Sequence, residues 1–142
     1  MSFITLDQAN RVIAGAFEKG RALGLKPLSV AVLDAGGHMI AFQRQDGSST
    51  LRHQIAAAKA GGALALGVSS RAIGAMAAER PSFVAALGPI SPLGVMPAAG
   101  GVIVIDGDGR PIGAVGVTGD TSDNDEACAL AGIAAAGLTA QG

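Results

Sequence analysis

The sequence predicts an α/β protein of the α+β type, in which β-hairpins form an antiparallel sheet and helices flank it. Two segments carry this prediction, at about 30–42 and 102–117. Each is an apolar run that ends in Asp, turns through glycines and returns as a second apolar run. Glycine favours such turns because it adopts positive φ without a steric penalty. Helical periodicity before, between and after these segments is the third observation.

The first helix is expected over residues 5–23. Thr5 and Gln8 have the capping-box spacing, and apolar residues recur behind them three and four positions apart. Gly24 and Pro27 are expected to end the helix. The first hairpin then occupies about 29–44.

Two more helices are expected between the hairpins, over about 51–66 and 69–79. The Ser and Thr residues of the polar segment 46–50 are candidates to cap the first of them, and Ser69 or Ser70 the second.

The segment 81–99 contains four of the six prolines together with several apolar residues. It is too rich in proline for a regular element and too apolar for a free linker, so we expect it to pack over a pocket or against a neighbouring subunit. The pair Gly61-Gly62 inside a predicted helix also needs a reason, since Gly is less favourable there than Ala by roughly 1 kcal/mol. Tight packing of helix on sheet is the simplest reason, and a bound ligand is the alternative.

The second hairpin is expected over about 101–117, and a last helix over about 124–138. Asp123 is the candidate cap of that helix and Gly137 its end. At 142 residues, the chain is expected to form a single domain, 1–142.

The composition restricts the partners. Charged residues are 15% of the chain, where about 25% is usual, so we expect surface hidden in a homo-oligomer; the alternative is that Ala and Gly raise the apolar count without making the surface adhesive. The basic residues are scattered and Trp and Tyr are absent, so nucleic acid is not expected as a partner.

The single Cys128 fits a reducing compartment. With neither a signal segment nor a membrane-spanning apolar run, a cytoplasmic protein is expected.

Four residues near the end of the first hairpin are candidates for a shared site: Arg44, Asp46, Arg52 and His53. An Arg binds a carboxylate through two parallel hydrogen bonds, and a neighbouring His can transfer a proton. The alternative is an exposed Arg–Asp pair beside an exposed His, which has little energetic effect.

Lys59 lies on an otherwise small and apolar helix face. It either extends its ammonium to solvent or is a buried cation facing a pocket, and a buried cation implies a ligand or a paired acid. A cleft is therefore predicted with Arg44, Asp46, His53 and Lys59 as candidate catalytic residues. Gly100, Gly101 and Thr118 would allow close backbone approach.

The only cluster of acids is Asp120, Asp123, Asp125 and Glu126. Its spacing loosely suggests a cation loop but lacks the full calcium pattern, and acids are favoured at a helix N-terminus in any case. No metal site is predicted. Cys128, which follows these acids, is expected to be a small buried residue and not a nucleophile.

Taken together, residues 31–38, 41–47 and 55–60 resemble the GlcG/HbpS family of haem-binding-like proteins. Residues 97–101 and 112–119, followed by Asp125-Glu126, add to the resemblance. It implies a profilin-like sandwich, with a five-stranded antiparallel sheet flanked by helices, in dimers or larger assemblies. The family includes haem-binding sensors, the C-terminal part of PduO-type proteins and proteins encoded beside catabolic enzymes.

Three functions remain open. The resemblance implies a small-molecule-binding protein, accessory to a catabolic pathway, with haem or another planar hydrophobic ligand as cofactor. His38 or His53 would then be the axial ligand, with Gly100, Gly101 and Thr118 also at the cofactor. The second function is a cofactor-independent lyase, isomerase or hydrolase acting on a small carboxylate-bearing metabolite. The third is a non-catalytic assembly subunit.

Overall fold

The computed structural model describes residues 2–142. The α-helices are α1 (Leu6–Leu23), α2 (Arg52–Leu66), α3 (Ser70–Glu79), α4 (Pro81–Leu87) and α5 (Ser122–Ala135). The strands are β1 (Ser29–Asp34), β2 (Met39–Arg44), β3 (Gly101–Ile105), β4 (Pro111–Thr118) and β5 (Thr139–Ala140). The expected α+β fold with a five-stranded antiparallel sheet is confirmed.

The strands follow one another across the sheet in the order β2-β1-β4-β3-β5, and every neighbouring pair is antiparallel. The two predicted hairpins therefore lie side by side, joined through β1 and β4. At one end of the sheet the register brings Ser29 between Arg44 and Thr118. This end of the sheet carries most of the candidate site.

Each face of the sheet is covered by different helices, because successive side chains of a strand point to opposite faces. One face packs against α1 and α5 and holds the main apolar core, which includes Val12, Val30, Val115 and Ile133. The other face packs against α2, where Leu33 and Ala114 contact Ala60. The α2 face is the one that carries the polar candidates.

Glycine allows α2 to lie very close to the sheet. A Cβ at Gly116 would overlap the carbonyl of Ala56, and a Cβ at Gly101 would overlap that of Lys59. Because the obstructing atoms belong to the backbone of the helix, no rotamer change would relieve the overlap. The small residues of α2 and of the strands beneath it are thus explained by contact between helix and sheet.

The glycine pair of α2 has a different neighbour from the expected one. A Cβ at Gly61 would lie 2.8 Å from Leu93 Cδ1, and one at Gly62 would lie 3.1 Å from Val95 Cα. The pair therefore admits the segment that precedes β3, and not the sheet. This segment packs along the outer side of α2.

The prediction that 81–99 is too rich in proline for a regular element is wrong for its first part. Residues Pro81–Leu87 form α4, and a 3₁₀ turn follows at Gly88–Ile90. Pro81 occupies the first turn of α4, where the missing N–H has no helical partner to lose. The proline marks the beginning of this helix and does not interrupt it.

The predicted caps are partly confirmed. Thr5 and Gln8 form both hydrogen bonds of the capping box, Gly24 ends α1 with φ 67°, and the Ser69 side chain caps α3. The predicted capping of α2 by a Ser or Thr side chain is wrong, because its N-cap residue is Leu51 and makes no side-chain cap bond.

The cap predicted at Asp123 is also wrong. Thr121 caps α5, and its hydroxyl accepts a hydrogen bond from the N–H of Asn124. Asp123 lies inside the first turn, where its carboxylate pairs with Arg71 of α3. A carboxylate there is favoured by the helix dipole and by the ion pair together.

Candidate functional site

The end of the sheet where β1 begins places three polar residues in a row across β2, β1 and β4: Arg44, Ser29 and Thr118. Directly paired residues point to the same face, which here is the α2 face. Ser29 and Thr118 are buried and Arg44 is exposed. The Ser29 hydroxyl has no hydrogen-bond partner among residues 2–142.

The first turn of α2 adds two further side chains above this row. Arg52 donates from Nη1 to Thr118 Oγ1 at 2.8 Å. The His53 ring lies edge-on to the ring of Phe42 on β2, with centroids 4.6 Å apart and an interplanar angle of 81°. Because β1 separates β2 from β4, the strands that Arg52 and His53 contact are about 10 Å apart. The two side chains therefore point to two different places.

The two histidines are in different environments. His53 is exposed, and its ring nitrogens have no hydrogen-bond or ion-pair partner within the described part of the chain. His38 is at the β1–β2 turn, with Nδ1 3.3 Å from Asp34 Oδ1. The pKa of Asp34 is lowered, mainly by the backbone N–H of His38. Four residues of strand, about 13 Å, separate His38 from Phe42, so the two imidazoles belong to separate surfaces.

Lys59 is a buried cation, and the alternative of an ammonium extended to solvent is wrong. The residue is 3% exposed, and Nζ donates to Val117 O at 3.0 Å and to Asp125 Oδ2 at 3.1 Å. Burial lowers the pKa of Lys59, while the Asp125 carboxylate acts in the opposite direction. The paired acid satisfies the requirement for a counter-charge from within the protein.

The remaining candidates divide between the buried and the exposed parts of this region. Gly100 and Gly101 lie against Lys59 beneath α2. Asp46 is exposed in the loop between β2 and α2. The structure thus groups Lys59 with Gly100 and Gly101, and Thr118 with Arg52, but Lys59 lies under α2 while Arg44, Asp46 and His53 lie outside it.

The four acids between residues 120 and 126 are all engaged by other groups of the protein. Asp125 pairs with Lys59, Asp123 and Glu126 pair with Arg71, and Asp120 accepts from backbone and amide N–H groups. Residues 2–142 contain no group of three or more His, Cys, Asp or Glu side chains arranged to hold a metal ion. Cys128 is buried, and burial raises the pKa of its thiol. This agrees with its expected role as a small core residue.

Sequence reasoning missed one feature of this region. A cavity of about 280 Å³ is lined by Lys26, Arg52, Gly119, Asp120 and Thr121. Lys26 is far from the others in sequence and comes close because its N–H donates to Asp120 Oδ2 at 3.0 Å. No local pattern signals this contact, since it depends on β1 and β4 being neighbours.

No helix in the described residues is both long and apolar enough to cross a membrane. Among solved structures, PduOC in a haem complex matches with a TM-score of 0.86 at 20% identity, covering 99% of this chain and 100% of that one. At that identity the likeness establishes the fold alone. HbpS matches with a TM-score of 0.80 at 29% identity, covering 94% and 90%. Protein ORFY of Klebsiella pneumoniae matches with 0.86 at 26%, covering 96% and 92%.

A comparison with curated proteins finds no match. The family model described as haem degrading protein HbpS-like matches residues 4–134. That match spans β1 to β4 and all five described helices except the last residue of α5, and it agrees with the likeness to HbpS itself. The chain therefore belongs to the HbpS-like family.

Proposed function

We propose that this protein binds haem or another planar hydrophobic ligand, with His53 as the axial ligand. The observation that carries the proposal is the His53 imidazole, which is exposed, lies against the Phe42 ring and has no polar partner among the described residues. The description of the family as haem-degrading supports haem as the ligand class.

The residues around His53 fit the chemistry of such a ligand. A haem needs an axial donor, apolar contact for its ring and cations for its propionates. His53 and Phe42 supply the first two, and Arg44 lies two residues beyond Phe42 on the same strand face. When bound, haem supplies a redox-active iron. Gly100, Gly101 and Thr118 are buried beneath α2, so we propose that they act on the ligand indirectly, through the position of α2 on the sheet.

His38 is the second candidate for the axial position. Its contact with Asp34 would fix the ring and raise the basicity of the free nitrogen, as in many metal-binding histidines. Its side chain is 82% exposed at a turn, where no apolar ring such as Phe42 adjoins it. We therefore place His53 first.

We also propose that a second copy completes this ligand-binding face, in a homo-oligomer. β2 is an edge strand of the sheet, and its residues Met39, Ile40, Ala41 and Phe42 are all at least partly exposed. An unpaired apolar edge is a ready surface for association. A role beside catabolic enzymes is supported by the family resemblance alone.

Haem titration of purified protein, followed by the Soret band, tests the axial ligand. We expect the parent to shift the Soret band of added haem, H53A to lose the shift, and H38A to keep it. Loss in H38A alone would move the ligand to the β1–β2 turn. An unchanged spectrum in both variants contradicts His ligation, and no shift in the parent contradicts haem binding.

A further inference from the structure

The cavity beside α5 differs in character from the Phe42–His53 surface. Its lining includes two cations, Lys26 and Arg52. The carboxylate of Asp120 and its neighbours Gly119 and Thr121, all in the β4–α5 connection, complete the lining. Its volume of about 280 Å³ is near the lower limit of small-molecule sites, which begin at about 300 Å³. The space is therefore suited to a small metabolite and not to a macrocycle.

Arg52 is the distinctive group of this cavity. Its side chain is partly buried, and one of its five donors is used, by Thr118 Oγ1. Within residues 2–142, no carboxylate lies within ion-pairing distance of it. A partly buried guanidinium gains more from a bound anion than a fully exposed one, because less water screens the attraction. The remaining donors are the groups with which an Arg binds a planar oxyanion.

The nearby acids are already engaged. Asp120 accepts from the N–H of Lys26, from the N–H of Thr121 and from the side-chain amide of Asn124, at 2.8–3.0 Å. These bonds lower the pKa of Asp120 to about 2. Asp125 is bound to Lys59. The counter-charge for Arg52 is thus left to a molecule from outside.

The charges also determine the valence of that molecule. Lys26 and Arg52 contribute two positive charges and Asp120 one negative charge, so the lining is positive by one unit. A monoanion neutralises it, whereas a phosphate dianion exceeds it and faces the Asp120 carboxylate. We propose that this cavity is a binding site for a small monocarboxylate, with Arg52 as its bidentate anchor and Lys26 as a second, flexible cation.

Of the two arginines that the sequence offers as candidates to bind a carboxylate, this site uses the partly buried Arg52 and not Arg44, which is exposed on β2. It is independent of haem binding at His53, because the two sites use different residues and different strands. The occupant is identified by chemistry alone: one carboxylate on a body of a few carbon atoms.

The test is a titration of ¹⁵N-labelled full-length protein with propionate, followed by backbone amide shifts at constant ionic strength. We expect saturable shifts at Gly119, Asp120 and Thr121. Propionamide, the neutral isostere, should leave these amides unchanged, and inorganic phosphate should bind more weakly than propionate. Equal shifts with propionamide overturn the proposal, and tighter binding of phosphate overturns its restriction to a monocarboxylate.

Variants assign the anchor. R52Q should weaken propionate binding about tenfold or more, because a charge-assisted bidentate contact is lost, and R52K should recover part of it. K26Q, at an exposed position, should weaken it by a smaller factor. Arg110 provides the control, since it is exposed in the β3–β4 turn, about 26 Å along β4 from Thr118, and R110Q should bind as the parent does. Parent-like affinity in a folded R52Q overturns the proposal.

Two crossed measurements separate this site from the proposed function. R52Q should still shift the Soret band of haem, and H53A should still bind propionate. If haem binding fails while propionate binding holds, the carboxylate site stands alone. If both variants lose both ligands, the two sites are one and the inference of a separate site is wrong.

Discussion

Lys59 and Asp125 place opposite charges where water barely reaches, with side chains 4% and 2% exposed. Asp125 Oδ1 also accepts from the N–H of Asp120 at 2.9 Å, and Lys59 Nζ also donates to Val117 O, so the pair joins α2, the end of β4 and the beginning of α5. Desolvation offsets much of the attraction in such a pair. Its effect on stability is therefore visible mainly when one partner is removed.

K59M should lower the free energy of unfolding by about 3–5 kcal/mol, because it leaves a buried carboxylate without its cation. The double variant K59M/D125L should recover most of that loss, since both charges are then absent from the interior. Urea unfolding of the two variants and the parent measures this. A single variant as stable as the parent would show that water reaches Asp125 freely in solution.

At the scale of elements, helical periodicity and glycine turns predict the helices and hairpins well. Features that depend on contacts between distant segments are not predicted. The amphipathic spacing of α1 and the glycine turns of both hairpins are local signals, and the structure confirms both elements. Strand β5, a two-residue pairing with β3, has no local signature. The sequence does not predict α4, because several prolines in one segment favour irregular structure, although Pro81 stands at the helix start, where proline is compatible with a helix. Likewise, the burial of Lys59 is one of two alternatives that the sequence leaves open, and its pairing with Asp125, distant in sequence, has no local signature.

Helix α2 lies on backbone atoms of the sheet, and this makes a sharp prediction for Gly116. G116A should destabilise the protein by about 1–3 kcal/mol or more, because the new methyl group overlaps the Ala56 carbonyl and α2 must move. Gly107 is a matched control: a Cβ there meets nothing within 4 Å, its φ is not positive, and G107A should be close to neutral. Chemical denaturation compares them. Equal stability of the two variants would contradict the close approach of α2.

For the whole molecule, the low charge content and the edge strand β2 lead to one expectation about assembly. Light scattering at micromolar concentration should give a multiple of 13.8 kDa. M39K places a charge on the exposed edge, where Lys opposes strand pairing, and should shift the mass toward that of one chain. L130K, on the exposed side of α5, is the control and should not. A parent mass of one chain contradicts the proposed oligomer.

The order of the strands across the sheet has a consequence for how the chain reaches its native state. β1 pairs with β4, and α1 packs on α5, so the centre of the sheet and one of its covering layers join the beginning of the chain to its end. Contacts between distant segments slow folding, because the entropy of closing a long loop is lost before the contact forms. The β1–β2 hairpin can form early and pack its apolar face on α1, but during synthesis its inner edge stays unpaired until residues 113–118 follow. Until then the nascent chain exposes an aggregation-prone strand, and association of two incomplete chains competes with folding of one.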